Sequence, residues 1–341
     1  GKLGAEVCLF DENYLPGGQL FKQIHKFFGS KDHYAGVRGF QIGELLLKQA
    51  KEAGANLKLS SKVLGVLEGG IIAVQENEVF KTYQAKTVVI ATGAKENALM
   101  FPGWTLPGVM TAGAAQTFVN VHRVKPGNRA LVIGSGNVGL ILSYQLSQAG
   151  IEVAAIVEAQ PEITGYKVHA GKVSRLGIPI LTSHTIKEAQ GQTRVERAVV
   201  VKLGEDYSPL PGTEYVYEAD LVCVAVGLSP RNELTRQYQC GTTYMGTLGG
   251  GVPLHNQSME STQPNIFVAG DAAGVEEAST ALEEGRIAGI GAAARLGYLD
   301  EDEANKWIEA YWQRLDALRS GQVTRLEAKR KILEEAQLNH A

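Results

Sequence analysis

The sequence predicts an α/β fold that contains two similar strand–helix–strand units, and three observations indicate this. The apolar run 129–133 leads into a Gly-x-Gly-x-x-Gly motif at 134–139, and helical spacing of apolar residues follows. A second apolar run comes next and ends in Glu158. Near the N-terminus, the segment 4–12 repeats the pattern that ends in Glu158 and itself ends in Glu12.

The glycine motif carries the chemistry of the second unit. Gly134 allows a tight turn, Gly136 lets the backbone approach a pyrophosphate, and Gly139 lets helix and strand pack closely. The helix N-terminus, at Asn137 and Val138, would offer unpaired N–H groups and the positive end of its dipole to phosphates. This combination predicts a dinucleotide site.

Glu158 indicates which dinucleotide the site prefers. It lies about twenty residues after the last glycine, where a carboxylate accepts hydrogen bonds from a ribose 2′-hydroxyl. The same carboxylate would repel a 2′-phosphate, and residues 159–161 supply no cation to attract one. The sequence therefore favours NAD.

The bulk properties are those of a soluble enzyme. The 341 residues carry a net charge of −3, which gives no electrostatic reason to expect nucleic acid or an anionic membrane as partner. No apolar run is long enough for a membrane span, and no signal peptide is recognisable. Three widely spaced cysteines predict a reducing, cytoplasmic setting, and Cys8 and Cys223 are expected to be buried in strands.

The repeat also predicts that a segment is missing. In the second copy the glycine turn precedes the matching strand, so the first copy's turn would fall before residue 1. We therefore expect this chain to be an N-terminally shortened form of a longer protein.

The turns and crossovers predict a domain layout with an insertion. Residues 1–107 form the first part of one dinucleotide domain, 108–228 an inserted NAD domain, 229–298 the rest of the first domain, and 299–341 C-terminal helices.

The motifs together resemble the pyridine nucleotide–disulfide oxidoreductase superfamily. Within it, the phrases at 15–20, 106–116 and 270–276 are similar to the alpha subunits of heteromeric amine oxidases and dehydrogenases, such as sarcosine oxidase, opine oxidase, dye-linked proline dehydrogenase and hydrogen cyanide synthase. This resemblance implies two Rossmann-like domains of the glutathione and thioredoxin reductase type, with FAD and NAD as cofactors. The residues that carry it are Glu12, Gly17, Gly18, Gln19, Leu20, Thr92, Gly93, Gly134, Gly136, Gly139, Gly227, Gly270 and Asp271.

The resemblance also implies FAD contacts at particular positions. Glu12 would bind the adenosine ribose, with Asp11 as the alternative, and Val63 would meet the adenine. The remaining contacts would come from Gly18 and Gln19 on the flavin side, from Thr92 and Gly93 near the pyrophosphate and ribityl chain, and from Gly270 and Asp271 at the ribityl hydroxyls. Gly227 ends the matching strand of the NAD unit.

One departure from the superfamily pattern bears on function. No Cys-x-x-Cys pair is present, and no cysteine lies in the segment directly after Gly17-Gly18 or just before the NAD unit, so reduction of a disulfide is not expected. The first hypothesis is hydride transfer between NAD(H) and FAD in an accessory alpha-type subunit, with a small molecule or a partner subunit serving as the other electron carrier. The alternatives are a stand-alone NADH-dependent flavin reductase or oxidase, as a single chain or a homo-oligomer, and a non-catalytic nucleotide-binding subunit.

No catalytic residue and no metal site emerges from the spacing of the titratable residues. His25 and His169 are weak candidates beside the two cofactors. Glu283, Glu284 and Arg286 either face a substrate channel or, by default, are exposed charges.

The C-terminal part is expected to be helical. The stripe from Ala304 to Leu318 docks on its own domain or meets a partner subunit, and 327–339 forms a solvated helix.

Overall fold

The computed structural model describes residues 1–27 and 29–338, and the chain divides into two compact units. One unit comprises Gly1–Lys95 and Leu228–Ala341, and the other comprises Glu96–Gly227. The second unit is therefore an insertion in the first. Residues 96–107, assigned to the first domain from the sequence, belong to the inserted unit, because Phe101 and Leu106 pack in its core.

The strands and helices of the described residues are numbered in chain order. The strands are β1 (Cys8–Phe10), β2 (Asn56–Lys58), β3 (Ser61–Val66), β4 (Ile72–Glu76), β5 (Val79–Tyr83), β6 (Val88–Ile90), β7 (Ala94–Glu96), β8 (Val109–Thr111), β9 (Arg129–Ile133), β10 (Glu152–Val157), β11 (Ile180–Leu181), β12 (His184–Gln190), β13 (Arg197–Lys202), β14 (Tyr215–Glu218), β15 (Leu221–Val224), β16 (Leu228–Pro230), β17 (Thr242–Met245), β18 (Gly250–Pro253) and β19 (Ile266–Val268). The helices are α1 (Gly39–Glu52), α2 (Ala112–Gln116), α3 (Asn137–Gln148), α4 (Lys167–Arg175), α5 (Glu233–Gln237), α6 (Ala278–Arg295), α7 (Glu301–Arg319) and α8 (Val323–Leu338).

The inserted unit is built on a parallel sheet with the strand order β11-β10-β9-β15-β8. The central strands β9 and β15 are almost wholly buried, as expected for parallel strands that are covered on both faces. Helix α3 connects β9 to β10, which is the predicted strand–helix–strand unit. A three-stranded antiparallel sheet, β12-β13-β14, completes the unit.

The first unit contains shorter sheets. Strand β1 pairs in parallel with β2, and β6 pairs in parallel with β19. Among the described residues, no strand pairs with the other edge of β1, and Leu9 is 38% exposed. Cys8 on this strand is exposed as well, so the expectation of a buried Cys8 is wrong, because β1 has a neighbour on only one side. Cys223 is buried as expected.

The C-terminal helices α7 and α8 pack on the first unit. Ile308 and Leu315 of α7 are buried with residues of α6 and β19, so the docked arrangement of this helix is observed. Ala328 and Ile332 of α8 are buried against Met245 and its neighbours. The expectation that 327–339 is a solvated helix is therefore wrong for the residues up to 338, and Asn339 lies outside the described residues.

No helix in the described part of the chain has the length and apolar character needed to cross a membrane.

Candidate nucleotide-binding sites

The glycine turn of the inserted unit has the geometry that its motif predicts. Gly134 has a φ of 108°, and a Cβ atom there would lie 2.3 Å from the carbonyl oxygen of Ala225. A Cβ on Gly139 would lie 2.0 Å from the carbonyl oxygen of Gly134. Both positions therefore require glycine, the first for its conformation and both for the close approach of the backbone.

The position of Gly136 is open. A Cβ atom there would meet only Thr164 Oγ1, at 3.9 Å. Gly136 is the N-cap of α3, no side chain caps the helix there, and Asn137 and Val138 are its first residues. An uncapped helix N-terminus beside open space is the arrangement that binds phosphate. These residues therefore fit a dinucleotide.

Glu158 lies directly beside this turn and is only 6% exposed. Its Oε2 atom accepts hydrogen bonds from the Ser135 N–H group at 2.8 Å, from Ser135 Oγ at 2.6 Å and from Thr164 Oγ1 at 3.2 Å. Its Oε1 atom accepts one, from the N–H group of Gln160 at 2.9 Å. Since a carboxylate oxygen has about two lone-pair positions, the remaining capacity for a ribose hydroxyl lies on Oε1.

The loop after Glu158 also lies on the glycine turn. The N–H group of Gly165 donates to the Ser135 carbonyl at 2.9 Å, and that of Tyr166 donates to Asn137 Oδ1 at 2.8 Å. A Cβ on Gly165 would lie 3.0 Å from the Asn137 nitrogen. Residues 164–166 therefore form one wall of the candidate site, which the sequence did not indicate.

Two further predicted positions belong to the inserted unit. Gly227 ends it with a φ of 108°, and its carbonyl accepts a hydrogen bond from the N–H group of Asn97 at 3.0 Å. His169 on α4 is 5% exposed, and burial lowers its pKa, with Lys172 as the second cause. His169 is thus a neutral side chain packed in the helix layer.

In the first unit, Arg231 joins three of the predicted FAD residues, and the sequence analysis missed it. Its Nη1 atom lies 3.1 Å from Glu12 Oε1, in a pair whose side chains are both 44% exposed. Its N–H group donates to the Gly93 carbonyl at 2.9 Å, and its own carbonyl accepts from Thr92 Oγ1 at 2.9 Å. The only sequence signal was its position just after the crossover strand β16.

Asp11 has a different role from Glu12. Its Oδ1 atom accepts hydrogen bonds from the N–H group and from Nδ2 of Asn13, both at 2.9 Å, which forms a local turn. Glu12 is therefore the better placed of the two acids for a ligand.

The Gly-Gly-Gln segment forms a turn with an open surface. Gly17 has a φ of 113° and Gly18 a φ of 55°, and a 3-10 turn spans Gly18–Lys22. A Cβ on Gly17 would lie 2.0 Å from the ring of Phe21, whereas a Cβ on Gly18 would meet nothing within 4 Å. The side chain of Gln19 is exposed. Gly18 therefore has open space beside it.

The remaining candidates of this region are His25 and Val63. His25 is half-buried and stacks on Phe27, with ring centroids 5.8 Å apart. Val63 is half-buried on β3 and pairs with Val74 of β4, next to a bulge.

The Gly270–Asp271 turn follows β19. Gly270 has a φ of 66°, and a 3-10 turn spans Gly270–Ala273. Burial raises the pKa of Asp271 to about 6, while the N–H group of Glu276 donates to its Oδ1 at 3.3 Å. Helix α6 begins at Ala278. A partly buried carboxyl with one long hydrogen bond has acceptor capacity left for a ligand hydroxyl.

Glu283 and Glu284 are not exposed charges, so the default expectation for them is wrong. They are 0% and 1% exposed. Glu283 Oε1 lies 2.8 Å from His33 Nε2 and 2.5 Å from Arg286 Nη1. Glu284 pairs with Arg319 Nη2 at 2.7 Å. Both acids can be buried because they are paired, Glu283 with Arg286 of its own helix and Glu284 with Arg319 and Lys329.

No group of three or more His, Cys, Asp or Glu side chains that could hold a metal ion is found within residues 1–27 and 29–338.

Two α/β units with turns of this kind define a dinucleotide-binding fold. The sequence model of the pyridine nucleotide-disulphide oxidoreductase family matches residues 1–285. The chain belongs to this family. The resemblance inferred from the motifs is thus confirmed at the level of the family and of its fold.

Several curated relatives are components of larger enzymes. Hydrogen cyanide synthase subunit HcnB of Pseudomonas aeruginosa is 28% identical over 93% of this chain and 72% of its own length. The A subunit of opine oxidase from Agrobacterium tumefaciens is 28% identical over 90% of this chain and 64% of its own length. The alpha subunit of sarcosine oxidase from Corynebacterium sp. is 27% identical over 86% of this chain but only 30% of its own length.

Solved structures share the fold. L-proline dehydrogenase from P. horikoshii superposes with a TM-score of 0.68 at 21% identity, covering 92% of this chain and 55% of its own. Thioredoxin reductase from T. acidophilum gives a TM-score of 0.67 at 20% identity, covering 86% of this chain and 91% of its own.

Proposed function

We propose that this chain is an electron-transferring subunit that moves hydride between NAD(H) and FAD without a redox-active disulfide. The proposal rests on the presence of two candidate nucleotide sites in one chain of an oxidoreductase family. One unit has a glycine turn with a buried acid beside it, and the other has a Gly–Asp turn with a partly buried carboxyl. Hydride transfer is the chemistry that the two cofactors supply when bound. The protein's part is to hold and orient them.

The inserted unit supports NAD as its ligand. Gly136 leaves the approach to the N-terminus of α3 open, and Glu158 is fixed by Ser135 with acceptor capacity left on Oε1. A fixed carboxylate favours a ribose 2′-hydroxyl and repels a 2′-phosphate. We therefore expect selectivity for NAD over NADP.

The first unit supports FAD through the residues that would contact its flavin and ribityl parts. Gly18 and Gly93 both have positive φ, and a Cβ atom at either would meet nothing within 4 Å. Asp271 offers an acceptor for a ribityl hydroxyl. The described residues before Glu12 contain no Gly-x-Gly-x-x-Gly motif, so only Thr92 and Gly93 are proposed to contact the FAD pyrophosphate.

The cysteines support a mechanism without a dithiol. Burial raises the pKa of the Cys223 thiol to about 12 and also raises the pKa of Cys240. Neither thiol is therefore a nucleophilic thiolate at neutral pH. Cys8 is exposed, but it has no cysteine neighbour in the sequence with which to form a redox pair.

The names of the relatives support a role inside a larger assembly. The hydrogen cyanide synthase, opine oxidase and sarcosine oxidase relatives are each named as one subunit of an enzyme. We infer that this chain passes electrons to or from a partner subunit, and that the partner acts on the small organic substrate.

A comparison of two rates tests this function. The protein is mixed anaerobically with NADH to measure single-turnover flavin reduction, and aerobically to measure steady-state turnover with oxygen. We expect reduction to be fast and oxygen turnover to be slow, because the physiological acceptor is a partner.

The other outcomes separate the competing functions. Oxygen turnover as fast as reduction indicates a stand-alone NADH oxidase and contradicts the accessory role. Tight NADH binding without flavin reduction indicates a non-catalytic nucleotide-binding role and contradicts hydride transfer altogether.

A further inference from the structure

The C-terminal helices insert two cations into the interior of the first unit. Arg319, the last residue of α7, and Lys329 of α8 are each 1% exposed. Burying an ammonium or a guanidinium group is costly unless it is paired and hydrogen-bonded. Both cations therefore require buried partners that carry negative charge or accept hydrogen bonds.

The partners of these cations are two glutamates next to the Gly–Asp turn. Arg319 makes a bidentate contact with Glu276, at 2.9 and 2.6 Å, and also reaches Glu284 at 2.7 Å. Lys329 Nζ lies 2.8 Å from Glu284 Oε1 and 3.5 Å from Glu276 Oε2. Burial alone would raise the pKa of Glu284, but Lys329 and Arg319 hold it below its ordinary value. The four side chains form two buried ion pairs with no net charge.

This cluster holds both ends of the turn that carries Asp271. At the start of the turn, the N–H group of Gly270 donates to Glu284 Oε2 at 3.0 Å. At its end, Lys329 Nζ donates to the carbonyl of Ala273 at 3.1 Å. Glu284 and Lys329 are themselves paired, so the turn is clamped between one acid of α6 and one cation of α8.

We propose that Lys329 is a positioning residue for flavin binding: through its contacts with Glu284 and Ala273 it fixes the Gly270–Ala273 turn, so that Asp271 meets the cofactor in one orientation. The inference rests on the proposed function, because Asp271 is a flavin ligand only if the chain binds FAD. It gives the C-terminal helices, which lie beyond the matched family region 1–285, a direct part in the cofactor site.

The test compares flavin affinity in variants of the full chain. Lys329→Met removes the cation, and Lys331→Met is the matched control, because Lys331 lies on the same helix and its side chain is 62% exposed. We expect Lys329→Met to weaken FAD binding at least tenfold, measured by fluorescence titration of the flavin-free protein, and Lys331→Met to leave it unchanged.

A double variant separates positioning from stability. Lys329→Met combined with Glu284→Gln removes one whole ion pair. Arg319 loses the negative charge of Glu284 but keeps its bidentate pair with Glu276, so no buried charge is left unpaired. The glutamine oxygen can still accept from Gly270. We expect this variant to unfold near the wild-type temperature but to bind FAD weakly, because the contact with Ala273 is lost. Wild-type affinity in the folded double variant overturns the proposal.

The pH profile of FAD affinity gives a readout that a purely structural role would not change. The charged groups around Asp271 are Glu276 and Glu277 beside it, Glu284 on α6, Arg319 on α7 and Lys329 on α8. Lys329 lowers the pKa of Asp271. Its removal should therefore move the midpoint of the profile to higher pH, by about half a unit or more. An unmoved midpoint counts against the proposal.

Failure of the proposed function would be recognised separately. If the wild-type chain binds no FAD, the flavin part is contradicted, and the clamp is then tested by amide hydrogen exchange at Gly270 and its neighbours. Faster exchange at Gly270–Gly274 in Lys329→Met than in Lys331→Met supports the clamp, and equal exchange in the two variants overturns it.

Discussion

Asp271 is the residue whose ionisation links stability most directly to the candidate flavin site. Burial raises its pKa to about 6, so its charged form is less favourable in the folded protein than in the unfolded chain. The stability associated with the neutral carboxyl is complete at acid pH and is lost as the pH rises through about 6.

The variant Asp271→Asn tests this account of the residue. We expect it to be more stable than the wild type at pH 8, by about 2 to 3 kcal/mol, because each pKa unit is worth about 1.4 kcal/mol. The difference should shrink towards pH 4, where the wild-type carboxyl is neutral. Denaturant unfolding at several pH values measures it, and a difference that does not depend on pH contradicts the assignment.

The variant Glu158→Gln tests which nucleotide the inserted unit selects. In Glu158→Gln the negative charge that repels a 2′-phosphate is lost, and the contacts with Ser135 are weakened. We expect NADH affinity to fall about tenfold and the preference for NADH over NADPH to decrease, as measured by calorimetric titration. The control Glu152→Gln, on an exposed side chain at the start of β10, the strand that Glu158 follows, should change neither. Unchanged selectivity in Glu158→Gln would place the ribose elsewhere.

Local geometry followed from the sequence where one motif specified it, and pairings were missed where the partners come from distant segments. The glycines at 134, 136 and 139 were predicted because one turn fixes all three. Arg231 was missed because its ion pair with Glu12 joins residues that only the fold brings together. Glu284 was misjudged for the same reason, since its cations lie on α7 and α8.

At the scale of elements, the turn between β9 and α3 is the part of the fold most sensitive to one added carbon. A Cβ on Gly139 would approach the Gly134 carbonyl oxygen to 2.0 Å, and neither backbone can move without separating strand from helix.

Gly139→Ala should therefore abolish NADH binding by the inserted unit and lower its thermal unfolding midpoint. Gly171→Ala is the matched control, because Gly171 lies within α4 and an added Cβ would meet only Arg175 Nη1, at 3.8 Å. We expect the control to be neutral or stabilised by up to about 1 kcal/mol, since alanine favours a helix. Calorimetry of both variants, with and without NADH, measures the unfolding midpoint and NADH binding. NADH binding by Gly139→Ala would contradict the role of the turn.

Helix α8 shows how an element can be predicted while its environment is not. The sequence indicated a helix there, but its many charges favoured solvent. Ala328, Ile332 and Ala336 are nevertheless buried at intervals of one turn against Leu248 and its neighbours. A narrow apolar stripe and one buried lysine are too weak a signal to read without knowing the surface that the helix covers.

Ile332→Ala measures how firmly α8 is attached. Ile332 is 0% exposed, and truncating such a side chain costs about 2 to 4 kcal/mol of the free energy of unfolding. The control Val323→Ala, at a residue that is 60% exposed, should cost less than about 0.5 kcal/mol. Equal small effects of the two variants in denaturant unfolding would show that α8 is not part of the cooperative fold.

At the scale of the whole molecule, the sequence predicted the class of the fold and the insertion of one unit in another. Those features follow from a repeated strand pattern and a glycine turn, each of which is encoded in a short stretch of sequence. The exact point where the chain passes into the inserted unit was not predicted, because Phe101 joins the second core through packing and not through any motif.

Binding of both cofactors within one chain is the claim on which the account of the whole molecule depends. The inserted unit carries the glycine turn and Glu158, and the first unit carries Gly18, Gly93 and Asp271. The account therefore requires a bound flavin that NADH can reduce.

The most direct test is the visible absorption spectrum of the purified protein, recorded anaerobically before and after addition of NADH. We predict a flavin band that bleaches when NADH is added, and that bleaches far less with the same concentration of NADPH. A protein that is supplied with FAD and stays colourless, or a flavin band that NADH leaves unchanged, would contradict the central claim.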